Sequence, residues 1–472
     1  MALKVQDQSS EVLAMAANWP IVEALLGGTA AMRVAGPAFL PQWPAEETKS
    51  YKARLATATL FQALERTLSV MSGKPFSKQL TLGKDVPKKI AKWCDDADQQ
   101  GNSLHSFCAD LMGEAMGFGL CGVLVDYPQV GGAARTQQDE KKLGARPYLV
   151  FIRHDQILGW KSEVAGGVTR LTQLRIAEQH EVEDGLYGVV YKKRVRVLSP
   201  GAFEVWEEGA KPDDPWILVV PPTATTLDQI PFVPFYGKKK GFMCGVSPLL
   251  NLAFLNVKHW QSQSDQDTIM HVARVPVLAM IGVDAPSPDG TGGTQLEVGA
   301  AAVVRLPPDA DMKYVEHTGA AIEAGEKSLE KLEDQMVTTG AELLVIKAGE
   351  QKSATQSNND AEGNKCDLLR ITETFEDSLD QVLQLMAKWV KEAEGGHASL
   401  FKDFGAATLT DASAQLILLL RAAGLITGET TLREQQRRGM LAADLDPKAE
   451  LAAAKLDPPP VPLPVASAPA PA

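Results

Sequence analysis

The residues of this chain whose types could do chemistry are carboxylates, histidines, cysteines and glycine-flanked lysines or serines, and their spacing argues against most of that chemistry. Asp95, Asp96 and Asp98 cluster closely enough to attract a cation; the simpler reading is a solvated helix terminus with Lys92 nearby. The histidines (His105, His154, His180, His259, His271, His317, His397) never fall in H-x-x-x-H or H-E-x-x-H spacing, so no helix offers two of them to zinc on one face. Cys94, Cys108, Cys121, Cys244 and Cys366 lie far apart with no C-x-x-C pair, which reads as free buried thiols. Gly73-Lys74 resembles the end of a phosphate loop, but Leu68 stands where its first glycine belongs and Pro75 follows the lysine. Gly245-Val246-Ser247-Pro248-Leu249 lacks the last glycine of a nucleophile elbow and reads instead as a helix start, with serine at the cap and proline at the first helical position. No catalytic residue, metal site or cofactor is assigned.

Two basic clusters remain. Lys192-Lys193-Arg194 with Arg196 falls in a β run whose alternation divides the charges between two faces, as in a solvated edge strand. Lys238-Lys239-Lys240 is expected in a turn before a long helix, where a phosphate contact is the functional alternative. The net charge of −12 and a pI near 5.2 argue against a sequence-reading DNA-binding domain. With 45% hydrophobic and 22% charged residues in 472, the composition is that of a folded globular chain of several domains. No apolar run of membrane-spanning length occurs, and the start Met1-Ala2-Leu3-Lys4 lacks a signal-peptide layout, so a cytosolic product without a membrane is expected.

The elements around these residues predict an α+β body, not an alternating βαβ array. Residues 1–45 read as an irregular arm with a short helix. A helix is expected over 46–71 (Tyr51, Leu55, Leu60, Phe61, Leu64, Leu68) and another over 104–118, followed by a buried strand 120–128. Short β runs follow at 148–152, 170–176, 188–198, 203–207 and 216–220. Leu368, Ile371, Phe375, Leu379, Val382, Leu383, Met386 and Trp389 mark an amphipathic helix ending near Gly395-Gly396. A helix pair at 411–423 and 428–438 is closed by Gly424 and Gly439, and 457–472 is a Pro/Ala tail expected to be disordered.

Between these parts lies the most distinctive segment. A long helix is expected from Ser247-Pro248 to about Ala273, with Pro276 as its stop. Its middle, Lys258 to Thr268, is so polar that it is expected to stay out of any core. A returning helix places Ile322, Gly325, Leu329, Leu332, Met336, Thr339 and Leu343 in steps of three and four, a narrow seam of the kind that packs against similar helices. The insert between them carries β runs at 277–283, 301–306 and 312–316 around the turn-rich Gly290-Thr291-Gly292-Gly293 tip, which opens no helix and so cradles no phosphate. Residues 245–344 hold fourteen Asp and Glu against six Lys and Arg, a net −8 of the chain's −12. Such a field does not grip nucleic acid; it suits a surface past which a polyanion slides, or one that meets a basic partner.

Gly245-Val246-Ser247-Pro248-Leu249 opening a long helix, the Arg274-Val275-Pro276 exit into a β module, and Leu332-Glu333-Asp334-Gln335-Met336 through Gly340-Ala341-Glu342-Leu343-Leu344 carry a family likeness. With Val123-Leu124-Val125-Asp126-Tyr127-Pro128 upstream and Phe375-Glu376-Asp377-Ser378-Leu379 downstream, the chain resembles the portal proteins of tailed bacteriophages over roughly residues 46–445. The resemblance implies a ring, typically of twelve subunits, at one capsid vertex, through which double-stranded DNA is packaged and later ejected without sequence specificity. It implies a fold with an N-terminal arm and α/β wing (1–246), a two-helix stem (247–274 and 318–345) and a small β clip between them (275–317). A tunnel loop (346–364), a long helix returning to the wing (365–404), a helical crown (405–456) and the tail (457–472) complete it.

On that resemblance Ile322, Leu329, Leu332, Met336 and Leu343 are expected at the subunit interface of the stem, and Glu326, Glu330 and Glu333 facing the channel. Lys347 and Lys352, the only basic residues between Glu342 and Lys365, would face DNA from the tunnel loop. Gly290, Thr291, Gly292 and Gly293 would touch a partner at the clip tip. Implied partners are further copies of the chain, the terminase large subunit, a head-completion or neck adaptor protein, the major capsid protein and scaffold. The subunit would be made in the host cytoplasm and end in the virion. Another phage head or neck protein, a non-viral oligomeric adaptor, or an enzyme supported only by Asp95, Asp96 and Asp98 are the alternatives.

Overall fold

A computed structural model describes residues 3–128, 144–211, 214–273, 277–281, 311–315, 320–344, 366–402, 404, 411–437, 441 and 445–456, in two units, Met1–Leu400 and Phe401–Ala472. The fold mixes helix and sheet, as an α+β reading requires.

The N-terminal residues are not an irregular arm. They form three short helices, α1 (Ser10–Ala16), α2 (Trp19–Leu26) and α3 (Gly28–Ala35). Ser9 caps α1, its Oγ accepting the Val12 N–H at 3.4 Å. Val12, Trp19, Leu25 and Met32 are buried, so this segment is part of the core. The single helix expected over 46–71 is two, α4 (Thr48–Thr57) and α5 (Ala63–Gly73). The break has a cause in α3: Arg33 donates twice to Ala58 O, at 3.0 and 2.8 Å, and Thr29 Oγ1 accepts Leu60 N–H at 3.1 Å. Those bonds draw the backbone between the helices out of α geometry.

After β1 (Thr81–Leu82) and α6 (Lys88–Trp93), α7 (Leu104–Phe118) begins at the Ser103 cap and stops at Gly119. Gly119 has φ +94°, and a Cβ there would lie 2.6 Å from the Val246 backbone, so the position requires glycine. The buried strand β2 (Leu120–Asp126) follows, as expected, and is the centre of a three-stranded antiparallel sheet between β3 (Tyr148–Ile152) and β9 (Phe232–Tyr236). A second antiparallel sheet runs in the order β4 (Ile157–Ala165), β5 (Val168–Asp184), β6 (Gly188–Ser199), β7 (Ala202–Glu207), β8 (Ile217–Ala224). Leu120, Leu124, Phe232 and Tyr236 of the first sheet share one core with Leu174 and Ile176 of the second and with Val12 and Trp19.

β6 is therefore an interior strand, not the edge strand that its charges suggested. Three of its cations are paired: Lys192 and Arg194 with Glu207 of β7 at 3.0 and 2.7 Å, and Arg196 with Glu178 of β5 and Asp126 of β2, both at 2.8 Å. The Lys238-Lys239-Lys240 run is a strand too, β10 (Lys238–Gly241), hydrogen-bonded to β11 (Cys244–Val246), with all three lysines exposed.

Two long helices bracket the antiparallel pair β12 (Val277–Ile281) and β13 (Asp311–Val315), which runs in register from Val277↔Val315 to Ile281↔Asp311. The third long helix, Asp367–Trp389, ends earlier than Gly395 and lies against β2 and β9. Trp389 Nε1 donates to Val125 O at 2.9 Å and Ser378 Oγ to Pro234 O at 3.2 Å. The short strand β14 (Ala398–Ser399) then pairs with β1. In the C-terminal unit the expected pair, Asp411–Ala422 and Gly428–Arg437, is joined by a third helix, Pro447–Leu456. Gly424, at φ +72°, ends the first of them.

Candidate functional site

The first long helix, Leu250–Ala273, has no single apolar face because it is surrounded: α2, α4, α5 and the second long helix, Ala320–Ala341, all pack on it. Its polar middle was expected outside a core, yet Asn256, His259, Ser264 and Gln266 are each under a tenth exposed, and Trp260 is fully buried. Polar groups tolerate burial when they find partners. The amides of Asn256 and Gln266 and one ring nitrogen of His259 do, while Trp260 Nε1, His259 Nδ1 and Ser264 Oγ have no hydrogen-bond partner among the described residues. Asn256 Oδ1 accepts the Leu64 N–H at 3.0 Å while its Nδ2 donates to Phe61 O at 2.8 Å. Leu64 is in the first turn of α5, where N–H groups have no helical acceptor, so a side chain about 190 residues away in sequence starts that helix. Gln261 Nε2 donates to Phe39 O at 3.0 Å, and Thr268 Oγ1 to Ser264 O at 2.9 Å.

The two long helices are fastened to each other by the same means. Gln266 Nε2 donates to Ile322 O at 3.0 Å, and His259 Nε2 lies 3.3 Å from Glu333 Oε1. Glycines set the approach: a Cβ at Gly325 would run into the Gln266 carboxamide, and one at Gly340 would come within 2.9 Å of Thr67 on α5. Below them Arg54 of α4 is buried, forked onto Glu46 at 2.8 and 2.7 Å, donating to Pro41 O at 3.0 Å and lying 4.1 Å from the Trp43 ring centroid. The hydrogen bonds from Arg54 hold the Glu46 carboxyl below the usual carboxylate range, and Glu46 raises Arg54 in return.

Most of the residues expected at the subunit seam are buried within the single chain. Leu329, Leu332, Met336 and Leu343 are 8%, 4%, 2% and 6% exposed within the single chain. Their apolar surface is spent holding the second helix to its own chain, which leaves little for a neighbour. Ile322 is half-buried, with its carbonyl taken by Gln266. Glu333 turns inward to His259, whereas Glu323, Glu326, Glu330 and Asp334 are exposed on the outer face. A groove of about 840 Å³ between α4 and the helix pair is bordered by Asp267, His271, Glu326, Glu330 and Glu333, and its cation, Arg54, is already engaged. Its charge repels a phosphate backbone and suits a basic partner.

Lys347 and Lys352 lie outside the described residues, as do Gly290, Thr291, Gly292 and Gly293, the run 301–306 and the tail 457–472. Of the chemical candidates, Asp98 organises its own loop, accepting the N–H groups of Gln100 and Asn102 at 2.9 and 3.2 Å and Asn102 Nδ2 at 2.7 Å. Asp96 accepts the Gly101 N–H and pairs with Arg146, both at 2.8 Å. Among the described residues no three His, Cys, Asp or Glu side chains are arranged to hold a metal. His154 is fully buried, stacked at 3.6 Å on Phe118 and 2.6 Å from Glu114, a packing role. The cysteines are free; burial pushes the Cys94 thiol up to about 12 and raises the Cys108 and Cys121 thiols well above the usual range, which keeps them unreactive.

Asn256, His259 and Gln266 are the residues that sequence reasoning missed. The signal for His259 and Gln266 was present in the run Lys258 to Thr268, which is built mainly from amides and hydroxyls, side chains that bond to backbone as readily as to water; Asn256 stands just before that run, among apolar residues.

The family model described as "Domain of unknown function (DUF4055)" matches residues 248–390, from the start of the first long helix to the end of the third. No curated protein matches the sequence. Among solved structures, a chain of the virion of a native gene transfer agent particle is similar at a TM-score of 0.42 and 13% identity, covering 85% of this chain and 98% of that one. A chain from the neck of the empty particle, computed with C6 symmetry, gives 0.42 and 13% over 79% and 88%. One from the neck of the native particle, computed with C12 symmetry, gives 0.40 and 12% over 86% and 98%.

Proposed function

We propose that this chain is the subunit of a portal ring of a tailed bacteriophage or phage-like particle, a structural conduit for DNA. The observation that supports the reading most is the helix pair bracketing a β insert: two helices of 24 and 22 residues, pinned to the body by buried polar bonds, leave an acidic outer face and carry the insert at their far end. A conduit needs rigid walls that DNA does not stick to, and like-charged walls provide that. In this reading Glu326 and Glu330 face the channel, Lys347 and Lys352 touch the phosphate backbone from the loop after the second helix, and the Gly290 to Gly293 tip meets the packaging motor or the neck. The chemistry of packaging belongs to a separate terminase.

The expected mass of the purified protein is that of a closed ring, about twelve times the 50.7 kDa chain, measured by native mass spectrometry with negative-stain images of the same sample. A monodisperse single chain at micromolar concentration would refute the ring. Within assembled particles, Lys347→Glu with Lys352→Glu is expected to preserve rings and lower packaged DNA severalfold, because it replaces repeated positive charges beside a polyanion by negative ones. Normal genome content would take that loop out of the DNA path.

A further inference from the structure

The β5–β6 hairpin turns through Gly185-Leu186-Tyr187-Gly188, with Asp184 paired to Gly188. Turns of this kind normally carry small polar residues. Here Leu186 is 89% and Tyr187 99% exposed, two large apolar side chains with nothing from their own chain against them. Elsewhere on the same body a cavity of about 350 Å³ opens between α1, α2 and β11, walled by Met15, Trp19, Val22, Phe118 and Leu250. It is the size for one or two side chains, at the low end for a ligand site. The charges around the two features are complementary on the β10 side. The hairpin tip carries the exposed Glu181, Glu183 and Asp184; Lys240 borders the cavity and the exposed Lys238 and Lys239 continue from it along β10, while Glu11 of α1 lines it as well.

We propose that the Leu186-Tyr187 tip of one copy seats in this cavity on a second copy. The tip and the cavity are different parts of one chain, so the contact is heterologous: each copy offers a tip to one neighbour and a cavity to the other, and the repeat closes into a ring. Burying both side chains removes the apolar surface they now expose to water, and the acidic tip meets the lysine flank at the rim. The proposal rests on the ring reading and deepens it, by naming a contact between neighbouring copies outside the two long helices.

The cavity contains its own probe. Cys244 is on its wall and only partly buried, whereas Cys94, Cys108, Cys121 and Cys366 are buried. In the Tyr187→Cys chain, mild oxidation is expected to link position 187 of one copy to Cys244 of the next, giving a reducible ladder of dimers, trimers and higher species that vanishes when Cys244→Ser is added. Leu186→Ser with Tyr187→Ser, which disturbs nothing inside its own chain, should weaken assembly at least about tenfold by light scattering. Closed rings of wild-type mass without a Cys244-dependent ladder would overturn the contact and leave the ring reading standing, the tip then being free for another partner. A ladder unchanged by Cys244→Ser would overturn it as well. Linked open chains that never close would support the contact and overturn the ring, and a wild type that neither cross-links as the cysteine variant nor assembles overturns both.

Discussion

Asn256→Leu is expected to destabilise the chain by about 4 kcal/mol, the largest loss of any single uncharged substitution in the helix pair. The side chain is fully buried, and both ends of its amide serve backbone groups at the start of α5, Leu64 N–H in its first turn and Phe61 O just before it. Leucine fills the volume but leaves one buried donor and one buried acceptor unmade, at about 1–3 kcal/mol each. Against a typical domain stability of about 5–15 kcal/mol, that is a large fraction. Asn251→Leu on the same helix is the control: Asn251 is exposed, and its replacement should stay within about 0.5 kcal/mol. Urea titration of both variants decides the matter. A loss below about 1 kcal/mol for Asn256→Leu would mean that the start of α5 does not depend on this amide, and that the first long helix is held by apolar packing alone.

That dependence also explains where sequence reasoning reached and where it stopped. The second and third long helices, α7 and the strand β2 were legible because one face of each repeats at a helical or buried-strand period and local signals mark the ends, as Ser103 and Gly119 do for α7. The N-terminal helices were not. At seven or eight residues each, and broken at Asn18 and Gly27, they are too short for a period to emerge, and their burial comes from sheets that form 100 residues later. The β5–β6 hairpin was read too short in β5, since its outer half is exposed on both faces and shows no alternation. Hydrophobicity also misjudged the middle of the first long helix. A polar residue's place is decided by whether a partner awaits it, and the partners of Asn256 are backbone groups 192 and 195 positions away. The same limit applied to the seam at Leu329, Leu332 and Met336: the steps of three and four were real, but a seam in one sequence does not say whether its mate is in the same chain or the next.

The second large effect is expected at the buried pair of Arg54 and Glu46. Glu46→Gln leaves the Arg54 guanidinium buried with Asp265 as its nearest remaining carboxylate, 3.8 Å away and half-exposed, and should destabilise the chain by on the order of 3 kcal/mol. Arg54→Met with Glu46→Leu removes both charges and should recover most of that loss, because the desolvation of each ion disappears along with their attraction. The pair also has a pH signature. Hydrogen bonds from Arg54 hold the folded-state pKa of Glu46 below its unfolded value, so the contribution of this carboxylate is fully present above the unfolded value and is lost as pH falls through the folded one. Asp265 works the other way, since burial raises its pKa and its ionised form is disfavoured. Asp265 is present in both the wild type and the doubly substituted chain, and Arg54 and Glu46 act on it in opposite directions, so comparing the two reports chiefly on the pair. Stability measured by urea titration between about pH 6 and pH 3 should fall more steeply for the wild type than for the double variant. Parallel curves would show that Glu46 titrates alike in the folded and unfolded chain, and that Arg54 anchors α4 through Pro41 and Trp43 without help from its charge partner.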